Sequence, residues 1–147
     1  MDISIAYRTF SGDLDIAGGD LVRDDTLRTA VVLSLFLDAR AKDDDEIPDG
    51  SADRRGWWAD AYAGQLPDSF GSRLWLLHRE KQLASVLARA KEYAEEALAW
   101  LVKDGVARSV QVTPEIPRQG VLGLLVVIER PDSSRIEYLF NNLWEGV

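Results

Sequence analysis

Residues 80–112 read EKQLASVLARAKEYAEEALAWLVKDGVARSVQV, and the fold turns on this stretch. Leu83, Val86, Leu87, Ala90, Ala94, Ala97, Leu98 and Leu101 recur at helical spacing and mark one apolar stripe. Lys81, Arg89, Lys91, Glu92, Glu95 and Glu96 fall on the other face. The spacing predicts an amphipathic helix over about 80–103, ended by Gly105, where a helix terminus favours a left-handed residue. At 106–112 the period switches toward two, with Val110 and Val112 on one side. A one-faced helix running into strands predicts an α+β fold, with the helix laid on a sheet.

Downstream, 122–129 is apolar almost without interruption, as in a strand covered on both faces. Pro114, Pro117 and Gly120 predict a bend before it, and Pro131-Asp132-Ser133-Ser134 a turn after it. Residues 135–140 then alternate, placing Ile136, Tyr138 and Phe140 on one side. This meander should pack on the long helix.

Upstream, a second helix is expected over about 25–41. Leu27, Ala30, Val31, Leu35 and Leu37 line one face, but Val32, Leu33 and Phe36 fill the other, which makes it a central helix. Asp24 or Asp25 would cap its start, and Arg40-Ala41-Lys42 would sit at its end. Before it, Ile3, Ile5 and Tyr7, then Leu14 and Ile16, alternate around turns at Ser11-Gly12-Asp13 and Gly18-Gly19-Asp20. Two or three strands this short are not stable alone. They are expected to join the C-terminal meander in one small, mainly antiparallel sheet, within a single domain over 1–147.

Composition narrows the function. With a formal charge of −8 and scattered basic residues, the chain has no footprint for a phosphate backbone, so nucleic acid is excluded as partner. The absence of cysteine removes disulfide and thiolate chemistry and suits a reducing compartment. Met1-Asp2-Ile3-Ser4 does not open a signal peptide, and the apolar runs at 30–37 and 121–128 are far below the roughly 20 residues of a membrane span. A soluble protein with no membrane partner is expected.

The residues offer little chemistry. His78 is the sole histidine, with no Gly-x-Ser-x-Gly elbow to accompany it, and reads as an ordinary histidine at a helix start. Zinc has no ligand set. Asp43-Asp44-Asp45-Glu46 lacks the spacing of a calcium loop and reads as a hydrated acidic run. Gly18-Gly19 precedes no Gly-Lys-Ser/Thr and is not a phosphate loop. No cofactor is expected. Glu46 and Asp60 are the carboxylates a glycoside hydrolase would draw on, if folding set them at a defined separation.

What remains is the connector over about 43–71, broken by Pro48, Gly50, Gly56, Gly64, Pro67 and Gly71. An irregular segment of that length in a compact domain is usually functional or disordered. It carries Arg54-Arg55-Gly56-Trp57-Trp58-Ala59-Asp60 and then Tyr62. Adjacent tryptophans cannot both face one interior, so one should plug the domain and the other meet a partner. Arginine and aromatic residues dominate interface hot spots. The expected partner-binding residues are therefore Arg54, Arg55, Trp57, Trp58, Asp60 and Tyr62, whereas Trp75 and Trp100, in apolar periodic segments, belong to the core.

Together with Gly71-Ser72-Arg73-Leu74-Trp75-Leu76-Leu77, Glu96-Ala97-Leu98-Ala99-Trp100-Leu101 and Asp104-Gly105-Val106-Ala107, the Gly-Trp-Trp block resembles the tail baseplate proteins of Mu-like bacteriophages and prophages. The resemblance runs in order through nearly the whole chain. That family is in turn similar to the small wedge protein of T-even phages, which joins baseplate to contractile sheath. The T-even protein carries an acidic-Pro-Arg signature in its connector, where this chain has Arg54-Arg55-Gly56-Trp57-Trp58. The resemblance implies a structural protein, not an enzyme, made in the host bacterial cytoplasm and located in the virion tail baseplate. Its implied partners are other baseplate wedge proteins and the tail sheath, with the chain a monomer or weak homo-oligomer on its own. A docked connector would grip neighbours, and an open strand edge, in the N-terminal strands or at 135–140, would accept a strand from the first sheath ring. The alternative it brings is a lysozyme-like peptidoglycan hydrolase of the tail.

Overall fold

A computed structural model describes residues 2–8, 11–24, 26–62, 69–78, 80 and 84–145. The helix at the centre of the sequence argument is α2, Ala84–Lys103. Its buried side chains are Val86, Ala90, Tyr93, Ala94, Leu98 and Leu101, the predicted stripe with Tyr93 added. Leu83 and Lys81 lie outside the described residues. Gly105, at φ 74°, ends the helix, and the N–H of Ala107 returns to the carbonyl of Leu101 at 2.9 Å.

Against α2 lies an antiparallel meander of β7 (Ser109–Arg118), β8 (Val121–Glu129) and β9 (Arg135–Glu145), with β8 in the middle. Val112, Leu124, Val126, Ile128, Tyr138 and Phe140 are buried on the helix side. The chain is thus α+β, as the switch of period implied.

Pro114 and Pro117 do not bend the chain out of the sheet; both lie within β7. Proline lacks an N–H and is tolerated where only one side of a strand is paired. As an edge strand, β7 meets that condition, and its register slips between Glu115 and Arg118. β8 is covered on both faces only at its start, where Val121 and Leu122 are buried. Its outward residues Leu125 and Val127 are only partly buried, and their neighbour Leu139 is 49% exposed.

The first helix, α1, spans Arg28–Phe36 and is shorter than 25–41. Asp24 supplies the cap: its carboxylate accepts the Thr29 N–H at 2.7 Å and the Thr26 N–H at 2.8 Å. Asp25 lies outside the described residues. The helix stops at Leu37 because tertiary partners claim the backbone beyond it. Ser72 donates to Leu37 and accepts from Ala39, at 2.8 and 2.9 Å, and Ala41 donates to Arg54 at 2.9 Å. Val31, Val32 and Leu35 are buried, so the helix is central as its two apolar faces required. Phe36 meets Phe140 edge-on at 5.4 Å. Trp100 donates its indole N–H to Ser34 at 3.0 Å, and Trp75 donates to Ala39 at 2.8 Å. Both rings pack against the core while remaining partly buried.

The N-terminal strands do not extend the meander. They form three separate antiparallel ladders: β1 (Asp2–Ile3) with β6 (Arg23–Asp24), β2 (Ile5–Arg8) with β3 (Ser11–Leu14), and β4 (Ile16–Ala17) with β5 (Asp20–Leu21). The ladders meet at a closed ring of backbone bonds. Ser4 donates to Val22, Val22 to Asp15 and Asp15 to Ser4, at 2.7, 2.9 and 3.0 Å. Thr29 of α1 ties this junction down by donating its hydroxyl to the Ile3 carbonyl at 3.1 Å.

Candidate functional site

After α1 the chain runs out to an acidic loop and returns at Arg54, and the return is locked to the outgoing strand. The Arg54 guanidinium caps the carbonyls of Lys42 and Asp43. Arg55 adopts φ 52°, a left-handed backbone that costs a non-glycine residue roughly 1–2 kcal/mol. Its N–H is held by Asp53 at 2.9 Å, its guanidinium by Asp38 at 2.7 Å, and that same group stands 4.5 Å above the Trp75 ring. Gly56 follows at φ 105°, and a Cβ there would lie 2.8 Å from the Cβ of Arg40. Both arginines thus clamp the connector to its own chain.

The clamp presents what comes next. A 3-10 turn over Trp58–Tyr62 opens on the Asp60 N–H to Trp57 carbonyl bond of 3.1 Å, and Asp60 in turn accepts the Phe70 N–H at 3.4 Å. Four rings line up along it. Phe70 lies 5.7 Å from Trp57, Trp57 6.0 Å from Trp58, and Trp58 6.2 Å from Tyr62. The expectation that one tryptophan plugs the interior is not met. Trp57 leans on Phe70 and is 48% exposed, while Trp58 and Tyr62 are 74% and 80% exposed. Consecutive side chains diverge, and neither ring is buried. A row of rings thus faces water on a backbone fixed at several points.

Sequence reasoning passed over the residue that braces the connector from below. Arg73 is only 7% exposed. Its guanidinium takes both oxygens of Asp45, at 3.0 and 3.1 Å, reaches Glu96 on α2 at 2.7 Å, and stacks 4.3 Å from the Tyr93 ring. Burial alone would lower its pKa; the bonds to Glu96 and Asp45 outweigh burial and raise it. An arginine between Ser72 and an all-apolar Leu-Trp-Leu-Leu run was the available signal. The acidic run is accordingly not simply hydrated, because Asp45 anchors it.

Residues considered for chemistry do not converge. Glu46 lines a groove of about 460 Å³ with Ile47, Pro48, Leu76, Glu80 and Arg89, and Asp60 is not part of it. Arg89 there is paired with Glu80. His78 is exposed at the end of the 3-10 turn Leu74–Leu77. Among the described residues no group of three or more histidine, aspartate or glutamate side chains is placed to hold a metal ion. No helix among them is long and apolar enough to cross a membrane.

Comparison with known proteins adds a second line of information. A family described as phage protein GP46 matches residues 27–135. The chain is 46% identical over 146 residues to baseplate protein gp46 of Escherichia phage Mu, covering 99% of each chain. It is 39% identical over 145 residues to the Mu-like prophage FluMu protein gp46 of Haemophilus influenzae, covering 97% of each.

Proposed function

Since the chain belongs to the phage GP46 protein family, we propose that it is a structural component of a contractile-tail baseplate that works by holding its neighbours. The observation carrying this reading is the clamped row of exposed rings at Trp57, Trp58 and Tyr62. The baseplate name of the Mu relative and the nearly full-length similarity support the location. We assign Trp57, Trp58 and Tyr62 to contact with adjacent wedge subunits, with Arg54, Arg55 and Asp60 fixing the presentation. Synthesis in the host cytoplasm and action as one unit over 1–147 complete the reading.

A second contact serves the first sheath ring. Of the two meander edges, β7 contains Pro114 and Pro117 and lacks two N–H donors, so β9 is the edge suited to accept an added strand. Each N-terminal strand has four or fewer residues, which makes it a poor template.

Trp58→Ala and Trp57→Ala, introduced into the phage, test the reading. Both variants should fold by circular dichroism and leave few or no contractile tails in electron micrographs. Folded variants that build normal tails would remove the connector from the interface.

A further inference from the structure

Between the N-terminal junction and the two helices lies an apolar groove of about 540 Å³, away from the clamped end of the connector. Ile3, Ile5, Leu14, Ala30, Leu33 and Phe70 form its apolar walls, with the Trp100 ring and two polar residues, Asp2 and Thr29. The polar groups of Thr29 and Trp100 are already engaged. Thr29 Oγ1 donates to Ile3 and accepts the Ile5 N–H at 3.3 Å, and the Trp100 indole donates to Ser34. Asp2 is different. It is exposed, and its carboxylate has no partner among the described residues. Asp24 stands opposite it across the ladder with its carboxylate taken by Thr26 and Thr29, and Arg23 stands opposite Ile3 without lining the groove. Asp13 lies exposed beside Leu14, and among the described residues no cationic side chain lines the groove.

We propose that this groove docks a short segment of a neighbouring protein carrying aliphatic side chains next to a lysine or arginine. The volume falls within the roughly 300–1,000 Å³ of ordinary binding clefts and holds a few side chains. Ile3 and Leu14, 44% and 50% exposed on its walls, would be covered by them. The charge selects the occupant: a cation beside the aliphatic anchors meets Asp2, whereas an acidic segment meets like charge. A second copy of this chain, itself at −8, is disfavoured for the same reason. The inference goes beyond the connector reading, since it concerns a separate surface and shares only Phe70 with the ring row.

The test uses the full chain with labelled isoleucine and leucine methyls and two synthetic peptides, acetyl-Leu-Lys-Leu-Lys-amide and acetyl-Leu-Glu-Leu-Glu-amide. The lysine peptide should shift the methyls of Ile3, Ile5, Leu14 and Leu33 and bind at least fivefold tighter than the glutamate peptide. Asp2→Lys, at an exposed position, should keep the fold and reverse that preference; Leu14→Ser should weaken the lysine peptide. Trp58→Ala should change neither, which separates this groove from the connector. Equal binding of the two peptides, no shift at these methyls, or an unchanged preference in Asp2→Lys would overturn the proposal. So would self-association that covers the same methyls as protein concentration rises.

Discussion

Trp58 and Trp100 show how one residue type takes opposite roles. Trp100 packs against the core and donates to Ser34, so Trp100→Ala should cost roughly 3 kcal/mol in urea unfolding. Trp58 is 74% exposed, so Trp58→Ala should move stability by no more than about 0.5 kcal/mol while damaging assembly. Periodicity made the first legible. The second was legible only as a pair of neighbours unable to share one interior; that both rings stay outside, Trp57 leaning on Phe70, had no sequence signal. Asp24 gives a pH-dependent prediction. Burial would raise its pKa, but hydrogen bonds from Thr26 and Thr29 outweigh that and lower it from 3.8 to about 2. The carboxylate therefore contributes its full stabilisation above about pH 4, and that contribution fades as pH falls toward 2. Asp24→Ala should cost roughly 1–2 kcal/mol at neutral pH, and the gap from the native chain should narrow through that acid window. Arg73 carries the largest polar effect. Arg73→Ala leaves Asp45 next to a site without its cation, a loss of roughly 3–5 kcal/mol for a broken buried pair, measurable by thermal unfolding.

At the scale of elements, what was readable depended on whether the determinant was local. The α2 stripe and the alternation of Ile136, Tyr138 and Phe140 are local, and both elements lie where the spacing put them. The end of α1 is not local. Leu37 to Ala41 could continue a helix, and they leave it because Ser72 and Arg54 take their backbone groups from more than ten residues away. Pro114 and Pro117 lie in a strand for a related reason, since the penalty for proline there depends on whether that strand lies at an edge. The three-way junction at Ser4, Asp15 and Val22 has no pattern signal at all, because it is made of main-chain bonds. Gly71 exposes the tie between connector and helix end. It sits at φ 96°, and an added Cβ would press on the Leu37 backbone, 2.8 Å from its carbonyl carbon. Gly71→Ala should speed hydrogen exchange at Ala39 and Ser72 by tenfold or more, while the amides of α2 keep their protection.

Across the molecule, three stretches of open apolar surface stand out among the described residues. These are the ring row of the connector, the groove beneath the N-terminal junction, and the outer face of the meander around Leu125, Val127 and Leu139. A buried core of leucines and valines secures the fold without them. Open apolar surface on an otherwise acidic protein is what the proposed partner contacts require, and the Mu relative bears a baseplate name. The most direct test is a cryo-EM map of the assembled tail baseplate at side-chain resolution. The rings of Trp58 and Tyr62 should lie within about 4 Å of side chains from an adjacent subunit. A map with both rings facing open solvent in the finished particle would contradict the claim that this protein holds its neighbours through the connector.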